Sequence, residues 1–201
     1  MNNNNNNNIS PNLQEENQYP TNFSDTENLI ARMRKEDNRN KKIMFGMFIL
    51  YLVFTIFYAI LFIFNPDPEL SLTDRMAGNS YVLAFIIGTF YFIWEYLIYK
   101  KVDYSTPLLT LLKKTVRRYR FFSIKWIPVI IVVIIIGYGF TISYVERLAA
   151  WDTGTCTKVL TIQAVYWGIM VVAGLIGYLI WRKRSRPILR AAKSLLEELK
   201  K

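Results

Sequence analysis

The chain has no histidine, and Cys156 is its sole cysteine. The first absence removes the commonest general base, the commonest metal ligand and the usual partner of a nucleophilic serine or cysteine. The second excludes an intrachain disulfide. There is also no phosphate-cradling glycine loop, no metal-ligand cluster and no nucleophile elbow. The sequence therefore carries no catalytic signature and implies no cofactor, and it reads as a non-enzyme. Met1 is followed by seven asparagines, Asn2 to Asn8, and no apolar stretch begins before residue 43. A cleavable signal peptide is not expected, and the first apolar helix must direct insertion.

Charge is missing from four long runs. Ile43–Phe64 has 22 residues and Val159–Trp181 has 23, both uncharged; Trp126–Tyr144 has 19, also uncharged; Tyr81–Tyr99 has 19 and one charge, Glu95. At about 1.5 Å per helical residue, 22 residues span roughly 33 Å, enough to cross a hydrocarbon core. Core helices of a soluble protein are shorter and keep a polar face. Four such runs in 201 residues leave too little protein to bury them. The reading is an all-α integral membrane protein, an antiparallel four-transmembrane-helix bundle.

Acidic residues are scarce beside basic ones, 15 against 25, for a net charge of +10. Lys and Arg concentrate in alternate segments. Six precede the first run, eight lie in Lys100–Lys125 and eight in Arg182–Lys201, so 22 of the 25 fall in these three segments. By the positive-inside rule both termini are cytoplasmic. Trp94, Trp126 and Trp181 fall near the cytoplasmic ends of their runs and Trp151 near the outer border, depths that amphipathic rings prefer. The orientation rule alone accounts for the basic clusters, so a specific nucleic-acid partner is not implied. Anionic headgroups on the cytoplasmic side are the economical partner, each cation contributing about 1 kcal/mol.

Residues 1–23 are Asn-rich and polar, and are expected to be disordered. The membrane domain occupies 24–201, beginning at a capping-box pattern, Ser24-Asp25-Thr26-Glu27, with Leu29, Ile30 and Met33 giving a short apolar face. Two amphipathic cytoplasmic helices are expected, at Pro107–Phe122 and Pro187–Lys201. In the first, Leu108, Leu109, Leu111, Leu112, Val116 and Tyr119 gather on one arc. Lys113, Lys114, Arg117, Arg118 and Arg120 fill the other and are the candidate anionic-lipid contacts. Ser105 or Thr106 can cap this helix and Pro107 suits its first turn. In the second, Ile188, Leu189, Ala191, Ala192, Leu195, Leu196 and Leu199 share a face. Each helix follows a basic cluster and a Ser-x-Pro step. Lipid contact and packing of the two helices on each other remain equally open, since both need one apolar face.

The stretch Val102-Asp103-Tyr104-Ser105-Thr106-Pro107-Leu108, followed by Leu112-Lys113-Lys114 and Arg118-Tyr119-Arg120, resembles uncharacterised four-helix inner-membrane proteins of Bacteroidota. Those are often encoded near extracytoplasmic-function sigma factors. The resemblance covers mainly the middle third of the chain. It implies a bacterial inner membrane and a regulatory setting, and it supplies no activity or site residues.

Within the runs, Glu95 is the sole ionisable acid. It lies about 6 Å from the cytoplasmic end at Tyr99. There it can snorkel or pair with Lys100, Lys101 or Lys125, which favours a structural role over a proton pathway. Gln163 and Tyr166 give the last run a polar start. Small residues recur at four-residue spacing (Ala84/Gly88, Gly137/Thr141, Gly139/Ser143, Ala164/Gly168 and Ala173/Gly177), allowing close helix approach within the chain or in a homodimer. The expected function is a non-catalytic interaction or regulatory protein with a basic cytoplasmic face and a possible protein partner. The alternative is a small transporter or channel subunit using Glu95 and Gln163. A lipid-modifying enzyme has thin support in Asp103, Tyr104 and Ser105.

Overall fold

The computed structural model describes residues 23–64, 70–121, 124–148 and 154–199. The predicted disordered tail lies outside them except for Phe23, which already opens a helix. Every described element is helical: α1 (Phe23–Ala59) running into a π-helical turn (Ile60–Phe64), α2 (Leu72–Lys100), α3 (Leu108–Tyr119), a 3-10 turn (Ile124–Trp126), α4 (Ile127–Arg147) and α5 (Thr155–Glu198). Four helices are long and apolar enough to cross a membrane, and each contains one of the four predicted runs.

Two helices are longer than their runs. α1 continues without a break from the charged segment into the apolar one, beginning one residue before the predicted cap. α5 has 44 residues and passes through Pro187, so the tail does not form a separate helix. The proline ring removes one helical hydrogen bond and crowds the preceding turn, at about 3 kcal/mol. Burial of Ile188, Ala192 and Leu195 on the far side of that proline offsets the cost. α2 also starts early, at a cap the apolar pattern does not show. Ser71 Oγ accepts from the Asp74 amide at 3.1 Å and donates to the Asp74 carboxylate at 2.8 Å.

Side-chain pairing sets the directions. Along α1 and α2 the rings meet in reverse order: Phe45 with Tyr96, Tyr51 with Phe92, Phe54 with Phe85, Tyr58 with Tyr81. Glu95 meets Lys125 while Gly139 lies against Ala77 and Ser80, so α2 and α4 are antiparallel too. Gln163 meets Thr141 and Tyr166 meets Val133, which reverses α5 on α4. The apolar stretches therefore pack in chain order, α1 on α2 on α4 on α5, and α5 returns to α1 at the end where the basic segments gather.

The small-residue pairs divide into two groups. Ala84 and Gly88 are buried, and a Cβ on Gly88 would come within 2.3 Å of the Tyr51 ring. One on Gly137 would come within 2.7 Å of Tyr166. Ala164, Gly168, Ala173 and Gly177 are exposed, and nothing approaches a Cβ built on Gly168 or Gly177. Residues 168–180 of α5 are exposed except Met170.

Candidate functional site

The best-formed polar site lies outside the apolar runs, in a helical module at the basic end. Its core joins three parts of the chain: Leu29 and Met33 of α1, Leu111, Leu112 and Tyr119 of α3, and Ile188, Ala192 and Leu195 of α5. The two short apolar faces thus pack on each other and on α1. Leu111 and Leu112 sit in protein, with side chains almost wholly buried.

At the edge of this core α1 presents Asp37, only 3% exposed. A buried carboxylate is costly unless its lone pairs are filled, and here they are. Tyr119 donates to Oδ1 at 2.7 Å, Tyr104 donates to Oδ2 at 2.6 Å, and Arg118 Nη1 donates to Oδ2 at 2.8 Å. The Arg118 side chain is itself only 6% exposed. Its guanidinium also approaches the Tyr99 and Tyr119 rings, at 6.0 and 5.9 Å from their centroids, and Arg34 stacks over Tyr104 at 5.1 Å. Burial first, and then the Asp37 charge and hydrogen bond, hold the Tyr119 hydroxyl far above its ordinary range. Burial, followed by the Asp37 hydrogen bond and charge, does the same to Tyr104. Both phenols stay protonated as donors, and the cluster acts as a clamp joining α1, α3 and the α2–α3 connection.

The connection is shaped by Asp103. Its Oδ1 accepts from the Ser105 amide at 2.9 Å and the Ser105 hydroxyl at 2.7 Å, and these bonds hold its carboxyl below the usual range. Thr106 Oγ1 donates to the Asp103 carbonyl. Ser105 and Thr106 therefore bond backward instead of capping α3. Pro107 is the cap residue, with no side-chain bond, and its carbonyl accepts from Thr110 and Leu111.

The five predicted lipid-contact residues do not share one environment. Lys113, Lys114, Arg117 and Arg120 are exposed, while Arg118 turns inward to Asp37. Glu95 is 7% exposed and pairs with Lys125 at 3.0 Å, one of the three partners open to it from sequence. Gln163 donates to Thr141 Oγ1 at 2.6 Å and to the Gly137 carbonyl at 3.3 Å. Glu95 and Gln163 have separate partners and are not brought together.

Sequence reasoning passed over Asp37, which lies in a run dense with charge. A signal was present. Leu29, Met33 and Asp37 recur every four residues, so the acid continues the apolar stripe of α1 and faces inward. Comparison with family models, curated proteins and solved structures finds no match for this chain.

Proposed function

We propose that the protein is a non-catalytic interaction or regulatory protein of the bacterial inner membrane, with both termini cytoplasmic and the helical module projecting from the membrane. The observation that carries this reading is the division of α3. Leu111, Leu112, Thr115 and Tyr119 are buried against the module, leaving Lys113, Lys114, Arg117 and Arg120 outward. The apolar side of α3 is already occupied, so its free chemistry is cationic and suits an acidic protein surface. The concentration of basic residues in alternate segments supports the orientation.

A photo-crosslinking residue at Thr110 or Lys114, tested in living cells, probes this face. The expected result is a protein adduct that disappears when Lys113, Arg117 and Arg120 are changed to Gln. Adducts with lipid alone would overturn the partner reading. The transporter alternative is less well supported, because Glu95 is ion-paired with Lys125 and the Gln163 amide nitrogen is engaged by Thr141 and Gly137 of α4. Proton- or ion-coupled flux in proteoliposomes, abolished by Glu95→Gln, would restore it.

A further inference from the structure

A groove of about 310 Å³ opens between α1 and α5 beside the module. One wall carries Arg32 and Lys35, the other Lys183 and Arg184, and all four are exposed. None of the four is ion-paired among the described residues. The one acid in the groove, Glu36, is paired with Arg39 on its own helix, so its charge is already countered. The groove is thus strongly cationic, on a floor of apolar side chains that includes Leu29 and Ile188.

Its height along the helices limits the ligand. Lys183 and Arg184 are two and three residues past Trp181, the end of the last apolar run, or roughly 3–5 Å along the axis. The headgroup layer is roughly 5–8 Å thick on each side of a bilayer. Arg32 and Lys35 lie 11 and 8 residues before Ile43, roughly 12–16 Å from the apolar run of α1 along the axis, so their long side chains must extend back toward the membrane to reach the same anion. Toward the membrane the groove-lining faces continue in exposed apolar residues, Ile43 on α1 and Ile176 and Ile180 on α5. A soluble anion would gain nothing from that surface, whereas acyl chains would.

We propose that this groove binds an anionic phospholipid of the cytoplasmic leaflet. Its phosphate lies among Arg32, Lys35, Lys183 and Arg184, and its chains run along the exposed faces of α1 and α5. The proposal rests on the membrane reading above but not on the partner face of α3, which is formed by other residues.

The test uses the full-length protein purified in detergent, with bound phosphatidylglycerol counted by intact-protein mass spectrometry during titration. Phosphatidylcholine and soluble glycerol 3-phosphate serve as the other two ligands. Phosphatidylglycerol should bind in preference to phosphatidylcholine, and glycerol 3-phosphate should not displace it. Lys183→Gln/Arg184→Gln and Arg32→Gln/Lys35→Gln should each weaken retention roughly thirtyfold. Lys183→Arg/Arg184→Lys should restore it, separating charge loss from misfolding. Lys113→Gln/Lys114→Gln, with the same charge change on α3, should retain lipid as the parent does. Equal losses in this control would show diffuse attraction and overturn the site. Undiminished retention in the groove variants, or displacement by glycerol 3-phosphate, would overturn it as well. Loss of the crosslink at Thr110 or Lys114 would leave these results unchanged.

Discussion

Arg118 and Asp37 stand 81 residues apart in the chain, and their side chains meet at 2.8 Å with both almost wholly buried. Each would be an uncompensated charge without the other. Asp37→Asn should therefore loosen the module by about 3–5 kcal/mol, the usual cost of removing one member of a buried pair. Hydrogen exchange of the α3 amides in nanodiscs is the measurement. Adding Arg118→Met should recover part of the loss, and equal protection in parent and Asp37→Asn would show that the pair carries no stability.

The same cluster sets an alkaline limit. Tyr104 and Tyr119 hold their protons more tightly folded than unfolded, since both lie above the ordinary value of 10.0. As pH rises past that value, the unfolded chain releases these protons while the folded chain retains them, so stability falls. Below about 10 their contribution is fully present. For Tyr119 the loss should approach about 1.4 kcal/mol per pH unit above 10. Thermal unfolding in detergent from pH 8 to 10.5 should show the decline, and Tyr119→Phe should flatten it.

Gly88 and Gly177 predict opposite responses to one added methyl group. The Cβ in Gly88→Ala would meet the Tyr51 ring, so the ring or the helices carrying it must shift, at about 1–3 kcal/mol. Gly177→Ala meets nothing and should be neutral or slightly stabilising, as alanine favours helix. Melting temperatures of the two variants, measured side by side, should separate. If Gly177→Ala is the damaging one, that face of α5 has a partner in the assembled protein.

Topology can be read directly. Reporter fusions after Lys42, after Arg118 and at the C-terminus should report cytoplasm, and those at Asp74 and Thr153 the outside. Cys156, which is exposed, should react with an impermeant thiol reagent on intact cells. A cytoplasmic signal at Asp74 would reverse the orientation and, with it, the leaflet assigned to the groove.

The apolar helices were legible because missing charge is a local property of sequence. So was the inward side of α3, where Leu111 and Leu112 are buried. The fusion of the tail with α5 was not. Pro187 is a strong local stop signal, and it is overridden by the burial of Ile188, Ala192 and Leu195 against helices distant in sequence. Asp37 escaped for the same reason. Periodicity places it on an inward stripe, but its partners Tyr104, Arg118 and Tyr119 belong to another helix and a connection. Arg118 shows the limit most clearly, since residues of one type adjacent in sequence, Arg117 and Arg118, face solvent and core respectively.

α5 is a single helix from Thr155 to Glu198, so its two ends share one phase. Inserting one residue after Trp181 would turn everything beyond it by about 100° and advance it by about 1.5 Å. Ala192 would swing away from the core, or else the apolar stretch would rotate and carry Tyr166 off Gly137. The azimuth of the membrane-length part of α5 is therefore fixed as much at Ala192 as at Tyr166, and a torque applied at either end is felt at the other.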